Sequence, residues 1–202
     1  MGEQVIIERV SNPLLQIIIG STRPGRVGLP IGRWIEKAAL DHGGFDVELV
    51  DLAEVNLPIF DEPKHPMLRQ YTHDHTKAWS ATIERADAFV MVMPEYNHSF
   101  NAALKNAIDY LSHEWRHKPV GTVSYGGVAA GIRAVQQLKP VLSVLSMVPL
   151  TAAVPIPFVA KMISGEGDDK VFTPTEEVAA GATVMLDALA AWIPASKLLR
   201  EA

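Results

Sequence analysis

Not one of the 202 residues is a cysteine. That excludes disulfides, thiolate nucleophiles and any zinc or iron–sulfur centre with a cysteine ligand, and it predicts a reducing, cytoplasmic setting. A basic surplus is missing too: 18 Lys and Arg stand against 23 Asp and Glu, for a net charge of −5, with no block of positive residues. Binding a nucleic-acid backbone needs such a stripe, so no nucleic-acid partner is expected. Residues 1–13 carry Glu3, Glu8 and Arg9 and lack the uninterrupted apolar core of an export signal. Between Lys139 and Lys161 no charged residue occurs, over about the length of a bilayer-crossing helix. Pro149, Pro155 and Pro157 would each remove a backbone donor from such a helix, so a buried helix ending near Met147, then a strand, is expected instead of a membrane span.

What is present is an ordinary globular composition, 48% hydrophobic and 20% charged. A chain this long can withdraw about 70% of its unfolded surface from water, and its length predicts one domain. Short apolar runs at 14–19, 47–52, 88–93, 120–123 and 148–154 read as strands buried on both faces. Segments 29–39, 73–85, 101–111 and 130–145 place apolar residues at helical spacing between them. Residues 56–69, with Pro58, Pro63 and Pro66 among charged side chains, read as a long surface loop. The tail holds a loop at 164–170 and a helix over 175–192 that Pro194 cuts short. Trp34, Trp79 and Trp192 fall on amphipathic helices and read as core. Strands alternating with helices predict right-handed crossovers and a doubly wound α/β domain with helices on both faces, its core over about 14–160.

In such a sheet the binding crevice lies at the carboxyl ends of the strands. Three loops fall there. The first is Gly20-Ser21-Thr22-Arg23-Pro24-Gly25-Arg26-Val27-Gly28, where hydroxyls, guanidinium groups and glycines precede a helix start. Those donors suit a phosphate monoester. The spacing also mimics a nucleoside-triphosphate loop, but Arg26 and Val27 stand where Lys and a magnesium-binding hydroxyl are needed. The second loop is Pro94-Glu95-Tyr96-Asn97-His98-Ser99, in which Tyr96 could lie flat against a ring. In the third, Ser124-Tyr125-Gly126-Gly127, the two glycines permit close backbone approach. Each of the last two alone is an ordinary turn.

Together, and with Leu104-Lys105-Asn106-Ala107-Ile108-Asp109 and Lys118-Pro119-Val120, these motifs resemble the NADPH-dependent FMN reductase family over residues 14–156. The resemblance implies a flavodoxin-like fold with a five-stranded parallel sheet in the order 2-1-3-4-5. It implies that Ser21, Arg23, Arg26, Val27 and Gly28 bind the FMN phosphate. Pro94, Glu95, Tyr96 and Asn97 would lie beside the isoalloxazine ring, largely through backbone groups, with Ser124, Gly126 and Gly127 at its other edge. No side chain matches a catalytic acid or base, which suits hydride transfer between nicotinamide and flavin. The implied activity takes hydride from NADPH or NADH and passes electrons to a small acceptor: a quinone, flavin, azo or nitro compound, or metal oxyanion. A homodimer or homotetramer is implied as well. One departure is Asn101, where the family pattern leads us to expect proline.

Two other readings stay open at this stage. An FMN-binding electron carrier or redox-sensing interaction module would use the same loops. His113-Glu114-Trp115-Arg116-His117 also fits a zinc-hydrolase pattern, with His113 and His117 one helical turn apart and Glu114 as base. Pro119 places His117 at or beyond the helix end, which opposes that geometry and leads us to expect no metal.

Overall fold

In a computed structural model of the chain, which describes residues 12–201, Leu14–Ile19 forms β1, an inner strand of the sheet. Asp46–Asp51 (β2), Ala88–Pro94 (β3), Pro119–Tyr125 (β4) and Val148–Ile156 (β5) complete a five-stranded parallel sheet in the order β2-β1-β3-β4-β5. Every residue of β3 and β4 is buried, the pattern of strands covered on both faces. Ile17 and Val90 point to one face, Ile18 and Phe89 to the other, as the two-residue period of a strand requires.

Gly28–His42 (α1) and Glu176–Glu201 (α6) cover the first face, burying Ile31, Ile35, Met185 and Leu189. Asp74–Glu84 (α3), Ala102–Asp109 (α4) and Ile132–Val144 (α5) cover the second, with Trp79, Ile108 and Leu138 in the core. The short α2, Leu52–Val55, follows β2 directly, and its Asp51 cap accepts from the Ala53 N–H at 2.9 Å. A two-residue antiparallel pair, β6 (Ile163–Ser164) and β7 (Val171–Phe172), brackets the loop predicted at 164–170. By length and composition α6 could cross a membrane, but Ala182, Met185 and Leu186 of this helix are buried in the core beside the sheet. Gly121 permits that seat, because a Cβ there would stand 2.7 Å from the Met185 sulfur.

Several expectations need correcting. Pro194 does not end α6, which runs on to Glu201. Tertiary anchoring outweighs the lost backbone bond: Ile193 and Ser196 are buried, and Arg200 and Lys197 both pair with Asp87. Trp192 is not core; its ring is half exposed on the outer side of that helix. Trp115, by contrast, is fully buried and donates its indole N–H to the Ile108 carbonyl at 3.1 Å. Within the long loop, Pro66–Leu68 makes one 3-10 turn. That loop is tied to α4 through Asn106, which accepts from Phe60 N–H at 2.9 Å and donates to the Pro58 carbonyl at 2.7 Å. Glu3, Glu8 and Arg9, and the reading of the first residues as lacking an export signal, lie outside the described residues.

Candidate active site

Strands β1, β3 and β4 are neighbours, so the loops that leave their carboxyl ends meet at one rim of the sheet. The first loop is held shut from within. Gly20 N–H donates to Val92 O at 2.8 Å, and Arg26 turns its guanidinium back onto Ser21 O at 2.6 Å and onto both oxygens of Asp51 at the end of β2. The Arg26 fork is therefore engaged by protein groups. The Arg23 side chain is exposed on the same loop with no hydrogen bond or ion pair among the described residues, while its backbone carbonyl accepts from Arg26 N–H at 3.0 Å. Ser21 is buried, with Oγ 3.5 Å from the Tyr96 hydroxyl. Val27 precedes α1, whose first turn has neither a side-chain cap nor an acidic residue, so its free N–H groups and positive dipole end face the rim. A cavity of about 250 Å³ lies here among Thr22, Arg23, Leu29, Arg33, Asp168 and Lys170. Lys170 reaches in from the tail and donates to Gly25 O at 2.7 Å.

Gly28 cannot carry a side chain in this arrangement. A Cβ would stand 2.8 Å from the hydroxyl of Tyr125, the last residue of β4. Burial pushes that phenol up from its ordinary pKa, so it is neutral at physiological pH.

The second loop begins at buried Pro94 and turns tightly. Tyr96 and Ser99 exchange both backbone hydrogen bonds, at 2.8 and 2.9 Å, with Asn97 and His98 at the tip in left-handed conformations (φ 49° and 66°). The Tyr96 ring is 39% exposed above the rim. Glu95 faces the other way. Its carboxylate accepts from Arg133 Nε at 2.5 Å, from Arg133 Nη2 and from the Arg133 backbone N–H at 3.2 Å. Burial alone would raise the Glu95 pKa, and the hydrogen bonds and charge of Arg133 outweigh it, holding the carboxyl below its ordinary value.

Ser124 donates to Ala130 O at 2.9 Å, and Gly126 N–H to Ile156 O at 3.3 Å, so both shape the third loop from within. The Gly127 carbonyl accepts from Ala130 and Phe158, at 3.1 and 3.0 Å. Asn101 bridges the first two loops: its amide donates to Gly20 O at 2.5 Å, and its own Oδ1 is buried without a partner.

The predicted residues thus gather at one rim but divide in orientation. Arg23, Val27, Tyr96 and Asn97 border the open side, Gly28 is buried against Tyr125, and Arg26, Glu95, Ser124 and Gly126 hold the loops from behind. Sequence reasoning missed Asp51, Tyr125, Arg133 and Lys170. An aspartate at the end of an apolar strand, beside the first strand, was the one readable signal for Asp51. Lys170 and Arg133 come from distant segments with no local signature.

The zinc pattern does not assemble. His113–Trp115 is a single 3-10 turn, and His117 follows in a left-handed conformation, so the two histidines do not share a helix face. Glu114 is buried and accepts from Ser80 and Tyr71 hydroxyls at 2.7 and 2.9 Å. A carboxylate so engaged is not a free base.

The donor set at the rim fits FMN: an uncapped helix start and an exposed guanidinium for the phosphate, and a partly exposed phenol ring beside the next loop for the flat ring. Comparison with known proteins agrees. An NAD(P)H-dependent FMN reductase of Schizosaccharomyces pombe is 41% identical over 163 residues, covering 79% of this chain and 80% of that protein. An FMN-dependent NADPH-azoreductase of Staphylococcus saprophyticus is 28% identical over 124 residues, covering 61% of this chain and 65% of that one. Among solved structures, the flavoenzyme NAD(P)H:(acceptor) oxidoreductase FerB of Paracoccus denitrificans superposes with a TM-score of 0.72 at 23% identity, over 91% of this chain and 98% of that one, a likeness of fold. The model of the NADPH-dependent FMN reductase family matches residues 13–161. With the fold, the rim and this match in agreement, the chain belongs to the NADPH-dependent FMN reductase family.

Proposed function

We propose that the rim of β1, β3 and β4 holds FMN and that the protein catalyses NAD(P)H-dependent reduction of a small acceptor of the quinone or azo class. The observation that carries this reading is the uncapped start of α1 and the unpaired Arg23 side chain on a loop whose Ser21 Oγ lies 3.5 Å from the hydroxyl of the partly exposed Tyr96. When bound, FMN supplies the hydride and electron chemistry. The chain supplies position. The first N–H groups of α1 and the Arg23 fork take the phosphate charge without a metal. Arg26 and Asp51 keep the loop in the shape that presents those donors, and Asn101 fixes Gly20 against α4. Tyr96, held by its two-bond turn, offers a flat apolar face, and the Glu95–Arg133 pair stops that turn from swinging. No side chain is needed as acid or base.

The Staphylococcus relative named above is an azoreductase, which supports the azo class of acceptor for this chain. A homodimer or homotetramer accords with the exposed Ile59, Met67, Leu68 and Val144, which lie on the long loop and the end of α5. Sedimentation as a monomer at micromolar concentration would remove that part. A cytoplasmic location accords with the absence of cysteine.

The test is spectroscopic. Purified protein loaded with FMN and mixed anaerobically with NADPH should lose its flavin absorbance at a rate equal to or above steady-state turnover. Reduction far slower than turnover, with fast oxidation by a protein partner, would point to a carrier. Arg23→Ala should weaken FMN affinity by about tenfold through loss of a charge-assisted contact. Unchanged affinity would place the phosphate elsewhere.

A further inference from the structure

A cluster of positive charge in this acidic protein lies at the opposite end of the sheet from the crevice. A cavity of about 510 Å³ opens below the amino ends of β3 and β4, lined by four arginines, Arg69, Arg85, Arg116 and Arg200, and by Lys118. Two imidazoles, His113 and His117, join them. Three carboxylates share the lining, and each is already satisfied. Glu84 pairs with Arg69 at 3.0 Å, Asp87 accepts from Arg200 at 2.8 Å and from the Leu14 N–H at 3.0 Å, and Glu114 is turned into the core toward Ser80 and Tyr71. Arg116 and His117 have no side-chain hydrogen bond or ion pair among the described residues.

Lys118 is the unusual member. It is only 4% exposed, and its ammonium donates to the carbonyls of Ile83 and Glu84 at 2.7 and 3.0 Å, with no carboxylate in ion-pair range among the described residues. Arg69, Arg85 and Arg200 are paired with Glu84, Glu48 and Asp87, whereas Arg116 and the buried Lys118, whose ammonium is held by carbonyl dipoles and lies 5.6 Å from the Phe89 ring centroid, have no carboxylate partner among the described residues, so the cavity keeps a positive potential. The remaining surface is Ala86 and Leu199, with no six-membered aromatic ring or indole to stack on a base or flavin. Forked guanidiniums around a small polar cavity match tetrahedral oxyanions.

We propose that this cavity is a second anion site, which takes a small phosphate-bearing anion of the pyrophosphate class. It is separate from the crevice by the length of β3, seven residues or roughly 20 Å. It also gives a role to the segment His113-Glu114-Trp115-Arg116-His117, whose zinc reading fails: Arg116 and His117 face an anion, while His113 is bonded to the Met67 carbonyl at 3.0 Å.

The test uses the full chain saturated with FMN, so that the crevice cannot accept the probe. Titration with inorganic pyrophosphate, followed by calorimetry at ionic strength matched with chloride, should give one saturable site. Arg116→Ala should weaken it by about tenfold, Arg116→Lys should recover part of that loss, and Arg23→Ala should leave it unchanged. Absence of a saturable heat would overturn the proposal. So would binding that survives Arg116→Ala but is lost in Arg23→Ala, which would locate the probe in the crevice. Equal affinity for citrate would overturn the assignment to phosphates. None of these outcomes depends on the acceptor or the rate of reduction, so the proposed activity stands or falls separately.

Discussion

Arg26 and Asp51 form a two-pronged ion pair that joins the first loop to the end of the neighbouring strand β2. The side chains are 14% and 5% exposed, so the pair is largely withdrawn from water. Removing one partner leaves the other buried and uncompensated. Arg26→Ala and Asp51→Ala should each destabilise the apoprotein by about 3 kcal/mol, and the double variant by clearly less than the sum. Chemical denaturation of the four proteins without FMN measures this. Strict additivity would mean that the two residues do not act as a pair.

Gly28 and Tyr125 test the fit between α1 and β4. A methyl group at 28 collides with the Tyr125 hydroxyl at 2.8 Å. Gly28→Ala should cost about 1–3 kcal/mol, and Tyr125→Phe in the same chain should recover most of it by deleting the oxygen. Thermal melts of the single and double variants decide the matter. A Gly28→Ala protein as stable as the parent would show that the ring moves freely.

The Glu95–Arg133 pair gives an acid limb to stability. Because the Glu95 carboxyl is held below its ordinary pKa of 4.5 in the folded chain, its contribution is complete above about pH 4.5 and is lost as pH falls through the folded value. Glu95→Gln should flatten this part of the acid-denaturation profile and leave the alkaline side unaltered. An identical acid profile in the variant would mean the pair adds nothing.

Lys118 has the opposite sign. Burial and the nearby charge of Arg200 lower its pKa from 10.5 to about 8. Between these values the unfolded chain holds more protons than the folded one, so stability should rise with pH from about 8 towards 10. Tyr110, pushed up to about 12 by burial and by Asp61, works against further gain above pH 10. Lys118→Met should abolish the rise, as read from denaturation midpoints between about pH 7.5 and 9.5. Pyrophosphate, if it stabilises the ammonium, should flatten the same slope in the parent protein.

The strands were the most legible part of the chain. Runs such as Ile17-Ile18-Ile19 and Val90-Met91-Val92 have no polar alternation because both sheet faces are covered, and their alternation with helical segments predicts a parallel sheet. The three loops followed from the strand ends. Less legible was which way each side chain turns: Arg23 and Arg26 look equivalent on one loop, and only the buried Asp51 makes one a structural clamp and leaves the other exposed. Pro194 misled for a similar reason. Local propensity sees a missing donor, whereas Asp87, more than a hundred residues earlier, binds Lys197 and Arg200 and carries the helix through. Asn101 was recognisable as a departure, but its bond to Gly20 O depends on the juxtaposition of β1 and α4, which no local pattern encodes.

The turn between Tyr96 and Ser99 has a further consequence for redesign. Its shape is secured by two backbone hydrogen bonds, and its tip residues Asn97 and His98 are exposed. The tip is thus an interchangeable cassette: residues that tolerate left-handed backbone, such as Asp-Gly or Gly-Asn, can replace Asn97-His98 while the ring of Tyr96 keeps its place. A library limited to those two positions would vary what an incoming acceptor meets at the edge of the crevice, with the framework beneath it unchanged.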